Sequence, residues 1–228
     1  MKDEKFWHEK HPLLPMAYSG RVLGVRTMFG FKMKQKPYDV DVRTFIHPVD
    51  VVVEEIMEHD IFRTPLPFLR EKYSESMIIK KIQTWVMASI TYVSDKKSWD
   101  CRDAWQYPEE TLLLRIGDCE DGAILIATML ILAGIAPWRV RVTAGHVQAS
   151  PTAPQGGHAY VTVCRGDDWV AIDWCYFPEV KDMLTDRTPV KSVKFYKGVW
   201  FSFNHLYSWT HRDTGIFAGR VQQYNRAA

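Results

Sequence analysis

At 228 residues, 46% of them hydrophobic, the chain is long enough for one large domain with a sizeable core, which excludes general disorder. A net charge of +2 lacks the marked basic character of domains that grip phosphate backbones, so nucleic acid is not an expected partner. No apolar run approaches the ~18 residues of a membrane span, and the charged start Met1-Lys2-Asp3-Glu4-Lys5 has no signal-peptide core, so a soluble, cytoplasmic protein without membrane contact is expected.

Residues 1–48 show no clear period and are broken by Pro12, Pro15, Pro37 and Pro48; they read as an N-terminal arm or extension. Gly20 to Lys36 carries five basic residues and no acid, which suits a solvated loop or an edge strand guarded by lysines. Pro48 and Asp50 can start a short helix over Val51 to Glu58. After the break at residues 65–69, Ser74 to Ile90 reads as a helix with Ser74 as N-cap and Ile78, Ile82, Trp85, Val86 and Ser89 on one face. Trp99 to Pro108 is an aromatic loop, and Glu109 to Ile116 a short helix.

Cys119 to Ala133 is the best-marked helix. Asp118 suits the N-cap, Asp121 the capping-box position and Gly134 the C′ position. Its side chains are apolar nearly all round, which predicts a buried central helix. The rest is strand-like: Trp138 to Ala144, His158 to Cys164, a turn at Gly166-Asp167-Asp168, Trp169 to Trp174, and Val193 to Phe203. Helices first and antiparallel strands second predict an α+β fold with the central helix packed on the sheet.

Three residues in this frame carry chemistry. Cys119 opens the central helix, His158 opens one strand and Asp173 closes the next, the order of a nucleophile, a base and its orienter. A free thiol has a pKa near ~8.5, and a helix N-terminus lowers it by roughly 1.5 units at best. Asp118, Glu120 and Asp121 oppose that effect, so an imidazolium partner is required. His158 is the candidate, with Asp173 fixing its tautomer; His146 is the competing base. A hairpin centred on Asp167 puts residue 158 opposite about residue 176, so a longer or bulged loop is expected to bring Asp173 to His158. Asp118, Cys119, Glu120 and Asp121 are adjacent and expected to splay around the helix end, so no metal and no cofactor are expected. The four cysteines form no CxxC pair, which argues against a zinc knuckle.

Gly117-Asp118-Cys119-Glu120-Asp121-Gly122, Gly156-Gly157-His158-Ala159-Tyr160-Val161 and Trp169-Val170-Ala171-Ile172-Asp173-Trp174 resemble the Cys, His and Asp motifs of the transglutaminase-like superfamily. The Asp-Cys-Glu-Asp wording and the upstream stretch from Trp105 to Leu112 are most similar to its bacterial transglutaminase-like cysteine proteinases. The resemblance covers roughly residues 100–175 and implies a papain-like core in permuted order, with 49–228 as the catalytic domain. It implies thiol acyl transfer at an amide or peptide bond, with a peptide or protein as substrate and either water or an amine as acceptor. The expected activity is that of a cysteine peptidase or amidohydrolase. A protein-glutamine transamidase, or a binding scaffold without catalysis on the same fold, is the alternative. The resemblance also points to Gln106, with Trp105 behind it, as an oxyanion donor beside the Cys119 backbone N–H. Trp174, Tyr160 and Asn204 are candidates for lining the substrate cleft.

Overall fold

The computed structural model describes residues 2–11, 13, 16–21, 27, 28, 31, 32, 38–100, 103–175, 195–210 and 221–223. Its elements in order are α1 (Glu4–Lys10), β1 (Met16–Arg21), β2 (Thr27–Met28), β3 (Phe31–Lys32), β4 (Tyr38–Asp41), α2 (Val51–Ile56), α3 (Leu69–Lys72), α4 (Glu75–Ser89), β5 (Thr91–Tyr92), α5 (Asp95–Ser98), α6 (Pro108–Leu114), β6 (Ile116–Gly117), α7 (Cys119–Leu132), β7 (Val140–Val147), β8 (Gly156–Arg165), β9 (Asp168–Ile172), β10 (Tyr196–Phe203), β11 (Ser208–Thr210) and β12 (Val221–Gln223). The fold is α+β, as expected. Its main sheet has five antiparallel strands in the order β11-β10-β7-β8-β9, and α7 lies on the face that carries Val140, Val142, Val161 and Val163. Most of the basic stretch Gly20 to Lys36, the strand start at Val193 and Cys101 lie outside the described residues.

Local chemistry explains the two central helices. In α7, Ala123 to Ala127, Met129 and Leu130 are all buried, because the helix is covered by the sheet on one side and by α4 and α6 on others. Its C-terminus closes on Gly134 at φ 83°, where Gly134 N–H donates to Ile131 O and Ile135 N–H to Leu130 O. In α4, Ser74 Oγ accepts from Met77 N–H at 3.3 Å, and Ile78, Ile79, Ile82, Gln83 and Val86 form the buried face. Glu75 in the first turn of α4 receives Arg139 through two nitrogens at 2.9 and 2.6 Å, with Arg70 at 3.2 Å and Arg165 at 3.5 Å. That cluster ties the helix layer to the sheet.

Three expectations are adjusted. The helix from Val51 ends as α-helix at Ile56 and continues as a π turn over Met57–Phe62. The strand expected from Trp138 begins at Val140, after a 3₁₀ turn at Pro137–Arg139. Position 48 is no boundary in packing. Met16, Tyr18, Val42, Phe45 and Ile46 share one core cluster with α7 and the sheet, and Tyr18 stacks on Trp105 with ring centres 4.8 Å apart. The first segment lacks a readable period because its strands are short and it buries isolated aromatic residues.

Gly122 shows how tightly α7 is seated. A Cβ there would fall 2.2 Å from the Trp174 ring. Alanine is the better helix former by about 1 kcal/mol, yet overpacking costs about 1–3 kcal/mol. Gly122→Ala is therefore expected to lower the melting temperature by several degrees; a rise in thermal denaturation would contradict the packing.

Candidate active site

Cys119 opens the helix that packs on β8, and His158 at the start of β8 meets Asp173 at the end of β9. Cys119 is the first residue of α7, and Asp121 Oδ2 folds back to accept from Asp118 N–H at 3.0 Å. The backbone of Ala159, one residue past His158 on β8, is close enough to the Cys119 sulfur to favour its thiolate, a pull that burial and Asp118 outweigh. The nucleophile candidate therefore lies against the beginning of the strand that carries the base candidate.

His158 and Asp173 meet directly: His158 Nε2 to Asp173 Oδ2 is 2.6 Å, with both residues buried. Nδ1 is then the ring nitrogen on the side not held by Asp173. The hairpin achieves this without the expected bulge. Its ladder runs regularly from Arg165↔Asp168 to Val161↔Ile172 across a Gly166-Asp167 turn, and the chain leaves the sheet after Ile172. Asp173 Oδ1 accepts from the N–H groups of Trp174 and Cys175 at 2.8 and 3.3 Å. Oδ2 also accepts from the Tyr196 hydroxyl at 2.8 Å, and the Asp173 carbonyl accepts from Gln83 Nε2 at 2.5 Å. Burial pushes the Asp173 carboxyl up, but His158 and the Tyr196 and Cys175 hydrogen bonds outweigh it, so it is held below the usual carboxylate range. His146, the competing base, packs edge-on against Trp200 with ring centres 4.7 Å apart.

The thiol sits in an acidic environment. Burial, Asp118 and Cys175 push the Cys119 thiol well above its ordinary value, against smaller opposing effects of Glu120 and the Ala159 backbone. The Cys119 S–H donates to Glu120 Oε2 at 3.0 Å. Burial, Cys119 and Asp118 in turn push the Glu120 carboxyl well above its usual range. The carboxylates do not splay as expected. Donor atoms of Asp118, Cys119 and Glu120 lie within 4.8 Å of one another, as do those of Asp95, Asp103 and Glu120, and of Asp95, Asp118 and Asp121. These oxygens are hard-cation ligands.

The remaining candidates fall in supporting positions. Gln106 is buried, and its side-chain N–H group donates to Asp121 Oδ2 at 2.8 Å while its backbone N–H donates to Oδ1 at 2.8 Å. That engagement makes Gln106 a brace of the helix start and uses one of the two N–H donors of its amide. Trp105 donates its indole N–H to Asp103 Oδ1 at 3.1 Å and stacks on Tyr18 and Phe203, so it is core. Asn204 is completely buried: its amide donates to the carbonyls of Pro137 and Val140, and its oxygen accepts from Leu206 and Tyr207. It closes the turn between β10 and β11 and lines no cleft. Tyr160 is buried and stacks on His158 with ring centres 5.9 Å apart. Trp174 is buried and donates its indole N–H to Cys119 O at 3.2 Å, which holds the head of α7 from behind. Sequence reasoning singled out neither Gln83 nor Tyr196 as a partner of Asp173. Glu120, read as an acid opposing the thiolate, is instead the acceptor of the Cys119 S–H.

Among the described residues, no helix is long and apolar enough to cross a membrane. No curated protein matches the chain. Among solved structures, the chain is similar to EGTA-treated Legionella pneumophila LapG (TM-score 0.48, 17% identity, covering 66% of this chain and 75% of that one). It is similar in the same way to the calcium-bound form of that protein (TM-score 0.48, 18% identity, covering 67% and 78%).

Ionising Glu120 inside the fold is costly, so its contribution to stability falls as pH rises from the ordinary carboxylate range through its raised folded value. In metal-free buffer, Glu120→Gln is expected to raise the melting temperature by roughly 2–4 °C at neutral pH, with the gap closing toward pH ~4. Thermal denaturation across that range checks it, and a uniformly lower melting temperature would contradict it.

Residues 64–170, which hold the Cys119 and His158 motifs, match the family model of the bacterial transglutaminase-like cysteine proteinases, so the family resemblance read from those motifs is shown.

Proposed function

We propose that this protein is a cysteine peptidase using Cys119, His158 and Asp173. The observation that carries the reading is the 2.6 Å pair of His158 and Asp173, with His158 at the start of the strand that packs on α7, the helix Cys119 opens. The thiol is neutral at rest, so the proton leaves as the sulfur attacks: Cys119 Sγ bonds to the peptide carbonyl carbon while His158 Nδ1 takes the thiol proton. The resulting imidazolium is stabilised by Asp173, whose depressed pKa keeps it anionic. His158 then gives the proton to the leaving amine, the acyl-enzyme forms, and water attacks with the same histidine as base. The Cys119 backbone N–H at the free head of α7 serves the oxyanion. An amine in place of water would give the transamidase reading; the match to a proteinase family favours hydrolysis.

Asp95, Asp103 and Glu120, whose carboxylate oxygens lie within 4.8 Å of one another, fit a hard divalent cation held by oxygen. Such an ion supplies positive charge that relieves the repulsion around Glu120 and the sulfur. Calcium is expected to raise the melting temperature of the protein, EGTA to reverse the rise, and Glu120→Gln to reduce it. An unchanged melting temperature in millimolar calcium would remove this ion from the account.

Peptide hydrolysis is expected to fall at least about 10³-fold in Cys119→Ala and in His158→Ala, with unchanged circular dichroism. Digestion of a peptide library, with and without an added alkylamine, reads both acceptors. Activity retained in Cys119→Ala would overturn the proposal, and inertness of the folded wild type toward every peptide would favour the scaffold reading.

A further inference from the structure

A cavity borders the candidate active site at Tyr160 and Tyr196 and extends along the sheet face that carries Arg141, Thr143 and Thr162, under α1. Its volume is about 380 Å³, and neither Cys119 nor His158 lines it. Its floor is Arg141 on β7, the central strand, only 2% exposed. Trp169 from β9 and Trp209 from β11 close on the guanidinium, at 4.1 and 3.8 Å from its central carbon. Arg141 Nη1 lies 3.0 Å from His11 Nδ1, and because a guanidinium only donates, His11 accepts through that atom. Arg141 Nε and Nη2 are buried and have no hydrogen-bond partner.

Those two nitrogens form one edge of the guanidinium, and that edge matches two oxygens of a carboxylate or a phosphate. A buried cation without a counter-charge is costly, and burial lowers the Arg141 pKa to about 9, still charged at neutral pH. The surroundings favour an anion. Lys2, Lys10 and Lys197 also line the cavity, as do the hydroxyl-bearing Thr143 and Thr162. Two acids, Asp167 and Asp168, line it as well, and Asp167 is engaged by the Lys2 backbone N–H at 2.8 Å. Trp7, Tyr160 and Val199 supply apolar wall for the rest of a ligand.

We propose that this cavity is a binding site for a small molecule bearing a carboxylate or phosphate group, which docks on the Nε/Nη2 edge of Arg141. Isothermal titration calorimetry of the full chain with inorganic phosphate, and separately with benzoate, tests it and distinguishes the two head groups. At least one probe is expected to bind saturably with a dissociation constant of ~1 mM or tighter, and Arg141→Gln to weaken it about tenfold or more. Should that variant fail to fold, Lys10→Gln on the surface helix is expected to weaken the same probe several-fold. The absence of saturable binding of either probe to folded wild type would overturn the proposal, as would an affinity unchanged by Arg141→Gln or, if that variant does not fold, by Lys10→Gln.

Discussion

The buried carboxylate of Asp173 is the constraint on which the candidate site depends. It has no exposure to solvent, and it stays anionic because four donors converge on it: His158, Tyr196, and the N–H groups of Trp174 and Cys175. Its carbonyl takes a further bond from Gln83 of α4. One residue thus connects β8, the end of β9, β10 and the helix layer. A carboxylate so placed is stabilising only while every partner is present, since an unpartnered buried charge costs several kcal/mol. The hydrogen bonds that keep it charged also fix the ring of His158.

The nucleophile side is arranged in the opposite sense. The head of α7 favours an anion, but burial and Asp118 hold the Cys119 thiol protonated, and its hydrogen points at Glu120. In the proposed mechanism the resting thiol therefore needs a base. This division of labour explains why Trp174 and the Asp121–Gln106 pair brace the helix start so closely. A thiol attacking through general-base catalysis needs its sulfur and the imidazole held in register, because positioning replaces a preformed thiolate.

Much of this was legible in the sequence where the signal is local. The caps at Asp118 and Gly134, the apolar run of α7 and the Gly166-Asp167 turn each announce themselves within a few residues, and they place Cys119, His158 and Asp173 correctly on their elements. Side-chain partners across the fold were not legible. Nothing in the aromatic C-terminal stretch separates Tyr196, which reaches Asp173, from Phe203, which packs on Trp105. Asn204 looks like a polar cleft residue until its amide is seen closing a turn, and nothing local announces that Gln106 braces Asp121. Arg141 is buried because Trp169 and Trp209 from the two edge strands close on it, contacts that no local pattern in the sequence announces.

The pH dependence of Cys119 alkylation by iodoacetamide, localised by mass spectrometry, is the most direct test of a neutral thiol that depends on His158. The account predicts a wild-type apparent pKa above the ~8.5 of a free thiol and a rate at neutral pH that falls about tenfold in His158→Ala. An apparent pKa well below that value, or identical wild-type and variant rates, would contradict it.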